Sequence, residues 1–162
     1  MAKSVLAAFL LATLCVSTFA GTHKVPSDEP VATITVPDDW KTDEIDGGIE
    51  ATSSDGEVYL AIEATDSDSI KESVSEAVKY LKRKGVTVTD SSMKQEDGKL
   101  GEMDVVDISW DGKDEDGPAK ISLTIVAVTK TEGLLVIFWA SPTGAKKHAE
   151  ALTAIAKSIT KA

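Results

Sequence analysis

The chain has 162 residues, of which 27 are acidic and 17 are basic, so its formal net charge at pH 7 is −10. This excess of carboxylates disfavours binding to nucleic acid or to an anionic membrane surface, because both depend on Lys and Arg contacts with phosphates. Cys15 is the only cysteine. Residues 21–162 therefore lack the thiols that disulfides, thiol catalysis and cysteine-ligated metals require.

The first twenty residues are typical of a secretory signal peptide. Lys3 precedes an apolar run from Val5 to Val16, and the small residues Thr18 and Ala20 are suited to a cleavage site. The run is too short to span a bilayer as a helix, which needs about 20 residues. We therefore expect cleavage near Ala20 and an extracytoplasmic mature chain without a transmembrane segment, either periplasmic or secreted.

The next segment, residues 21–30, is polar and carries Pro26 and Pro30. Its composition predicts a flexible lead with no folded element. A single domain is predicted to follow it over residues 31–161.

Alternation of apolar and polar residues predicts six to seven strands within this domain. They are predicted at 31–36, 49–52, 57–64, 86–95, 101–110, 119–129 and 134–141. The last of them is apolar on both faces, which is typical of a strand near the centre of a sheet that is covered on both sides.

Two segments have the spacing of amphipathic helices. Apolar residues recur every three or four positions over 69–84, and Gly85 is suited to a helix end. A second helix is predicted over 143–160, with Ser141 as its cap and Pro142 at its first position. The predicted fold is α+β: an antiparallel sheet of about six to seven strands covered by helices on both faces, a layered sandwich.

Segment 111–118 is predicted to be an acidic loop. Its carboxylates, Asp111, Asp114, Glu115 and Asp116, are oxygen ligands of the kind that calcium prefers. A calcium or divalent-cation site is therefore one hypothesis for the function. The alternative is a solvated acidic turn without an ion, because runs of charge are usually solvated.

Trp40 and Trp110 are the candidates for binding a protein partner, since aromatic anchors are enriched at interfaces. Burial in the core is the alternative for both residues.

No catalytic site is predicted from the sequence. It contains no zinc-protease, serine-hydrolase or nucleotide-binding motif, and no cofactor is expected other than weakly bound calcium. His148 falls beside the buried stripe of the last helix and has no evident partner to orient it as a general base. An enzyme that uses carboxylates alone stays open, because carboxylates that are distant in sequence can converge.

The order of elements resembles the PsbP-like superfamily, which includes bacterial envelope proteins of the DcrB type. The resemblance covers residues 31–160 and rests on Val36-Pro37-Asp38-Asp39-Trp40, the Asp55-Gly56 turn, and the late hairpin into Ser141-Pro142. It implies a non-catalytic accessory or binding domain of the cell envelope. The partner implied is another envelope or secreted protein.

Overall fold

The computed structural model describes residues 20–66 and 70–162. The predicted signal peptide lies outside this part of the chain, apart from Ala20, and so does Ser69, where the first helix was predicted to begin. Within the described residues, no helix is long and apolar enough to cross a membrane.

The described residues form two antiparallel sheets and three α-helices. The larger sheet contains β3 (Lys41–Ile45), β4 (Gly48–Thr52), β5 (Val58–Asp66), β6 (Thr87–Val88), β7 (Lys94–Leu100), β8 (Met103–Asp114), β9 (Gly117–Ala127) and β10 (Glu132–Ala140). The smaller sheet contains β1 (Ala20–Val25), β2 (Ala32–Pro37) and β11 (Thr160–Lys161). The helices are α1 (Ile70–Arg83), α2 (Pro142–Lys147) and α3 (Ala149–Ser158).

The larger sheet has the order β3-β4-β5-β10-β9-β8, and β6 and β7 both pair with β8. Strand β10 therefore lies between two neighbours, and Leu134 and Ile137 on its opposite faces are buried. This confirms the prediction of an antiparallel α+β fold and the interior position of the doubly apolar strand.

The two faces of the larger sheet are covered by different structures. Helix α1 packs on one face through Ala77 and Leu81. The opposite face packs against the smaller sheet through Ile34 of β2 and against Ile155 of α3. The predicted single sheet covered by helices alone is therefore replaced by two sheets, with the smaller one covering part of the second face.

Helix α1 closely matches its prediction. Lys82 and Arg83 occupy its last turn, where positive charge interacts favourably with the helix dipole. Gly85 follows with φ of +78°, a left-handed conformation that glycine adopts without strain.

The predicted flexible lead differs from the structure over its first half. Residues 20–25 form β1 and pair antiparallel with β2, so that Val25 lies opposite Ala32 and is fully buried. Pro26 and Pro30 lie in the connection between these two strands. Strand β1 is stabilised by backbone hydrogen bonds to its neighbour and has little apolar alternation of its own, so the sequence pattern did not reveal it.

The predicted single C-terminal helix is divided into α2 and α3 at His148. Ser141 caps α2 as predicted, since its hydroxyl accepts a hydrogen bond from the Gly144 amide at 2.9 Å. His148 ends this first helix, and the chain leaves α3 at Ile159 to form β11.

Candidate ligand-binding groove

A groove of about 470 Å³ lies on the face of the larger sheet that carries the smaller sheet and α3. Its floor comes from β5, β8, β9 and β10, with α3 and β2 on one side and residues of the β7–β8 hairpin on the other. Most of its lining is apolar. The main apolar residues are Leu60, Val126, Val136, Phe138, Leu152 and Ile155.

The floor changes from apolar to polar across neighbouring strands. Val136 of β10 lies opposite Thr124 of β9, which in turn lies opposite Asp107 of β8. In the adjacent row, Phe138 lies opposite Ser122. Because side chains alternate between the faces of a sheet, these residues share one face. The groove is therefore aliphatic and aromatic over β10, and hydroxyl-bearing and then acidic toward β8.

The helical wall is fixed by apolar spacing and by a hydrogen bond. Leu152, Ile155 and Ala156 line the groove at the spacing of one helix face. Ser158, at the end of α3, accepts a hydrogen bond from the Thr35 amide at 2.8 Å. This contact ties α3 to β2 and sets the position of the wall.

The polar end of the groove centres on Asp107. The Thr124 hydroxyl donates a hydrogen bond of 2.6 Å to its Oδ1 atom, which orients the carboxylate. Glu96 of β7 lies directly opposite Asp107 in the sheet register and also lines the groove. Two carboxylates on neighbouring strands therefore share this end.

The two tryptophans singled out in the sequence are both buried. Trp40 is 5% exposed and Trp110 is 7% exposed, and they belong to the cores on opposite faces of the larger sheet. This agrees with the core-packing alternative, because neither ring is presented to a partner.

The predicted acidic loop is largely strand. Strand β8 continues through Asp111 to Asp114, and β9 begins at Gly117, which leaves Glu115 and Asp116 as a tight turn. The Asp114 carboxylate accepts hydrogen bonds from the backbone amides of Asp116 and Gly117 at 3.0 and 3.1 Å. It therefore stabilises the turn.

Asp111 lies before that turn and forms an ion pair with a lysine of β9. Lys120 Nζ lies 2.5 Å from its Oδ1 atom, and this hydrogen bond, with the lysine charge, lowers the pKa of the Asp111 carboxyl. Among residues 20–66 and 70–162, no group of three or more His, Cys, Asp or Glu side chains is arranged to hold a metal ion. The structure therefore offers no support for the calcium hypothesis.

His148 has the fixed partner that the sequence did not reveal. Its Nε2 atom lies 2.9 Å from Asp55 Oδ2, and its ring packs edge-on against Trp40 with centroids 5.6 Å apart. Asp55 also accepts a hydrogen bond of 2.7 Å from Lys147 and one of 2.6 Å from the Ser53 hydroxyl. The cluster attaches the junction of α2 and α3 to the turn between β4 and β5.

This cluster predicts an acid-dependent contribution to stability. Hydrogen bonds from Lys147, Ser53 and His148 hold the pKa of Asp55 well below its ordinary value of 3.8. A lowered pKa stabilises the fold above the unfolded-state value, and the contribution is lost as the pH falls below about 4. We expect Asp55→Asn to destabilise the protein near pH 7 and to converge with the wild type in acid, measured by thermal unfolding at several pH values.

The matched control is Asp43→Asn, because Asp43 forms an exposed ion pair with Lys41. Its difference from the wild type should stay small at every pH, since exposed pairs contribute little. A difference between Asp55→Asn and the wild type that persists unchanged into acid would contradict the assignment.

A second polar cluster lies between α1 and the larger sheet. The Tyr80 hydroxyl hydrogen-bonds to Glu50 and lies 2.6 Å from the Tyr59 hydroxyl, while Lys84 Nζ lies 3.0 Å from Glu50. Burial, followed by the contact with Glu50, raises the pKa of both tyrosines. Tyr80 and Lys84 belong to α1 or to the residue that follows it, and Glu50 and Tyr59 belong to β4 and β5, so the cluster attaches α1 to the sheet.

The fold resembles that of several solved structures, although the sequence itself matches little. No protein-family model matches the sequence, and no curated protein matches it either. Solved structures do match. The cyanobacterial PsbP protein (CyanoP) of Synechocystis sp. PCC 6803 aligns with a TM-score of 0.61 at 7% identity, over 97% of this chain and 99% of that one.

Two further structures share the architecture. LpqN of Mycobacterium tuberculosis, described as involved in cell envelope biogenesis, aligns with a TM-score of 0.52 at 16% identity, over 80% of this chain and 82% of that one. A protein of Bacteroides thetaiotaomicron VPI-5482 aligns with a TM-score of 0.55 at 16% identity, over 82% of this chain and 45% of that one. Identities this low establish the architecture alone, and on that basis the chain has a PsbP-like fold.

Proposed function

We propose that this chain is an extracytoplasmic binding domain without a catalytic centre, and that it holds an apolar small molecule in the groove. The observation that carries the proposal is the groove itself. Its volume of about 470 Å³ falls within the range of small-molecule pockets, about 300–1,000 Å³. Its lining combines a large apolar surface with a few polar groups at one end, as such pockets do.

The partly exposed side chains on the floor support this proposal. Val136 and Phe138 are only half-buried although they lie on interior strand β10, next to fully buried Leu134. The fold therefore leaves apolar surface of its central strand open beside α3. Covering that surface with an apolar ligand is favourable by about 25 cal/mol for each Å² removed from water.

The extracytoplasmic location and the accessory role rest on the signal-peptide pattern and on the PsbP-like fold. LpqN is described as involved in cell envelope biogenesis, which is compatible with an envelope role here. Action beside another envelope or secreted protein stays a prediction from the sequence.

Filling the groove tests the proposal. Ala156 on α3 lines the groove, so Ala156→Phe is expected to place a ring inside it and occupy the ligand space. The fluorescence of N-phenyl-1-naphthylamine, an apolar probe, should rise on binding to the wild type. The substitution should weaken this binding by at least about tenfold, equivalent to about 1.4 kcal/mol.

Ala154→Phe is the matched control, because Ala154 is an exposed residue of the same helix and does not line the groove. Both variants carry the same residue in the same helix, so their helix propensities match, and thermal unfolding checks that each is folded. Equal probe binding by the two variants would place the binding elsewhere, and no binding to the wild type would refute the proposal.

A further inference from the structure

The groove face of the β7–β8 hairpin carries two carboxylates, and neither forms an ion pair within the described residues. Glu96 and Asp107 lie opposite each other on this face, and directly opposed like charges destabilise a pair of strands. Lys99 also borders the groove, but its register places it on the other face, where its Nζ atom lies 2.6 Å from Asp104. Lys94 also lies on the groove face, opposite Ser109. Its charge contributes to lowering the pKa of the Asp111 carboxyl.

Asp107 can accept a further hydrogen bond at its second carboxylate oxygen, Oδ2. Thr124 donates to its Oδ1 atom, and no other hydrogen bond within the described residues uses its Oδ2 atom. A carboxylate can accept at both oxygens, so Asp107 can bind a cationic donor without breaking its contact with Thr124. Thr124 lies between Asp107 and Val136 in the sheet, and Val126 lies in the next row on this face, so a donor bound at Asp107 would be close to the apolar floor.

These features specify a ligand with two chemically different ends. The floor over Val136 and Phe138 fits an aliphatic chain, and the Glu96–Asp107 pair fits a positive head group that relieves the repulsion between the two carboxylates. An anionic head would face both carboxylates, and a neutral head would gain only hydrogen bonds. We propose that the groove binds a single-chain amphiphile with a cationic, hydrogen-bond-donating head; this inference rests on the function proposed above.

The proposed occupant is one amphiphile molecule taken from solution, not a bilayer surface. The groove has room for about one chain at 470 Å³. The net charge of −10 also disfavours approach to an anionic bilayer.

The test compares three probes that share a decyl chain and differ in the head: decylammonium, decanol and decanoate. Each is titrated as a monomer into protein purified after expression of the full 162-residue chain, by displacement of N-phenyl-1-naphthylamine. We expect decylammonium to bind about tenfold more tightly than decanol, because two nearby carboxylates attract its positive head even at a solvated site. Decanoate should bind most weakly.

The variant Glu96→Gln/Asp107→Asn should bring the affinities for decylammonium and decanol together and leave decanol binding unchanged. Glu96→Gln alone is the second variant, for use if the double variant is unstable, because Glu96 is exposed. It should reduce the logarithm of the affinity ratio between decylammonium and decanol by about half. Asp104→Asn is the control, because Asp104 is an exposed aspartate on the opposite face of the same strand. It should retain the full preference.

The possible outcomes distinguish a failure of this inference from a failure of the function proposed above. A preference for decylammonium that the double variant loses and Asp104→Asn keeps supports the inference. Equal binding of all three probes, or tighter binding of decanoate, overturns the cationic head but leaves an apolar binding domain. Binding of none of the three, together with no binding of N-phenyl-1-naphthylamine, overturns both.

Discussion

Gly48→Ala is expected to lower the free energy of unfolding by about 3 kcal/mol, the upper end of typical overpacking costs. A methyl group on Gly48 would lie 1.9 Å from the Ile62 carbonyl oxygen and 2.9 Å from the Glu63 Cα atom. Both atoms belong to the backbone of β5, which pairs directly with β4. Relief of the clash requires the two strands to separate, so hydrogen bonds of the ladder are strained as well.

Gly98→Ala is the matched control for this substitution. Gly98 is also a strand glycine, and a Cβ atom at its position meets nothing within 4 Å. Its replacement should change stability by less than about 0.5 kcal/mol, measured by urea unfolding of both variants. A loss of less than about 1 kcal/mol for Gly48→Ala would show that β4 can move away from β5 at little cost.

Leu81→Ala is expected to cost about 3 kcal/mol, within the range measured for truncation of buried leucines. Leu81 is 1% exposed and packs in the core between α1 and the larger sheet. Its removal leaves a cavity beneath the helix that covers this face.

The control for Leu81→Ala is Lys82→Ala, because Lys82 is the exposed neighbour in the same turn of α1. The change at Lys82 should stay within about 0.5 kcal/mol. Similar urea midpoints for the two variants would mean that contacts of the Tyr59–Tyr80–Glu50 cluster, and not the apolar stripe, hold α1 in place.

Elements with a strong pattern of their own were predictable from the sequence. Helix α1 combines an apolar stripe with basic residues in its last turn and Gly85 after it, and these local signals agree with each other. Strand β10 is apolar on both faces, so its position between β5 and β9 follows from burial alone.

Elements that depend on their neighbours were missed. Strand β3 has the sequence Lys-Thr-Asp-Glu-Ile and exists because β4 supplies backbone hydrogen bonds along one side. The same holds for β1 and β11 beside β2. Edge strands need little apolar surface, and charged residues on them protect against unwanted pairing.

The groove could not be assembled from the sequence because its parts lie far apart along the chain. Glu96, Asp107 and Thr124 meet only through the register of β7, β8 and β9. One local signal was available: Ser122 and Thr124 place hydroxyls on one face of β9, between the apolar residues of its other face. A polar stretch on an interior strand indicates a surface that the fold leaves uncovered.

The pairing of β11 with β2 has a consequence for the order in which the groove is assembled. Thr160 and Thr33, separated by 127 positions, lie side by side with hydroxyl oxygens 2.9 Å apart, and the Ala162 amide donates to the Val31 carbonyl oxygen at 3.1 Å. Closure of so long a loop is entropically costly, so we expect these contacts to form after the local hairpins of the larger sheet. Because α3 lies between β10 and β11 along the chain, its position beside the groove is fixed at both ends only once β11 has paired with β2. The wall that α3 forms is therefore expected to be the last part of the groove to become ordered, after the floor that the larger sheet supplies.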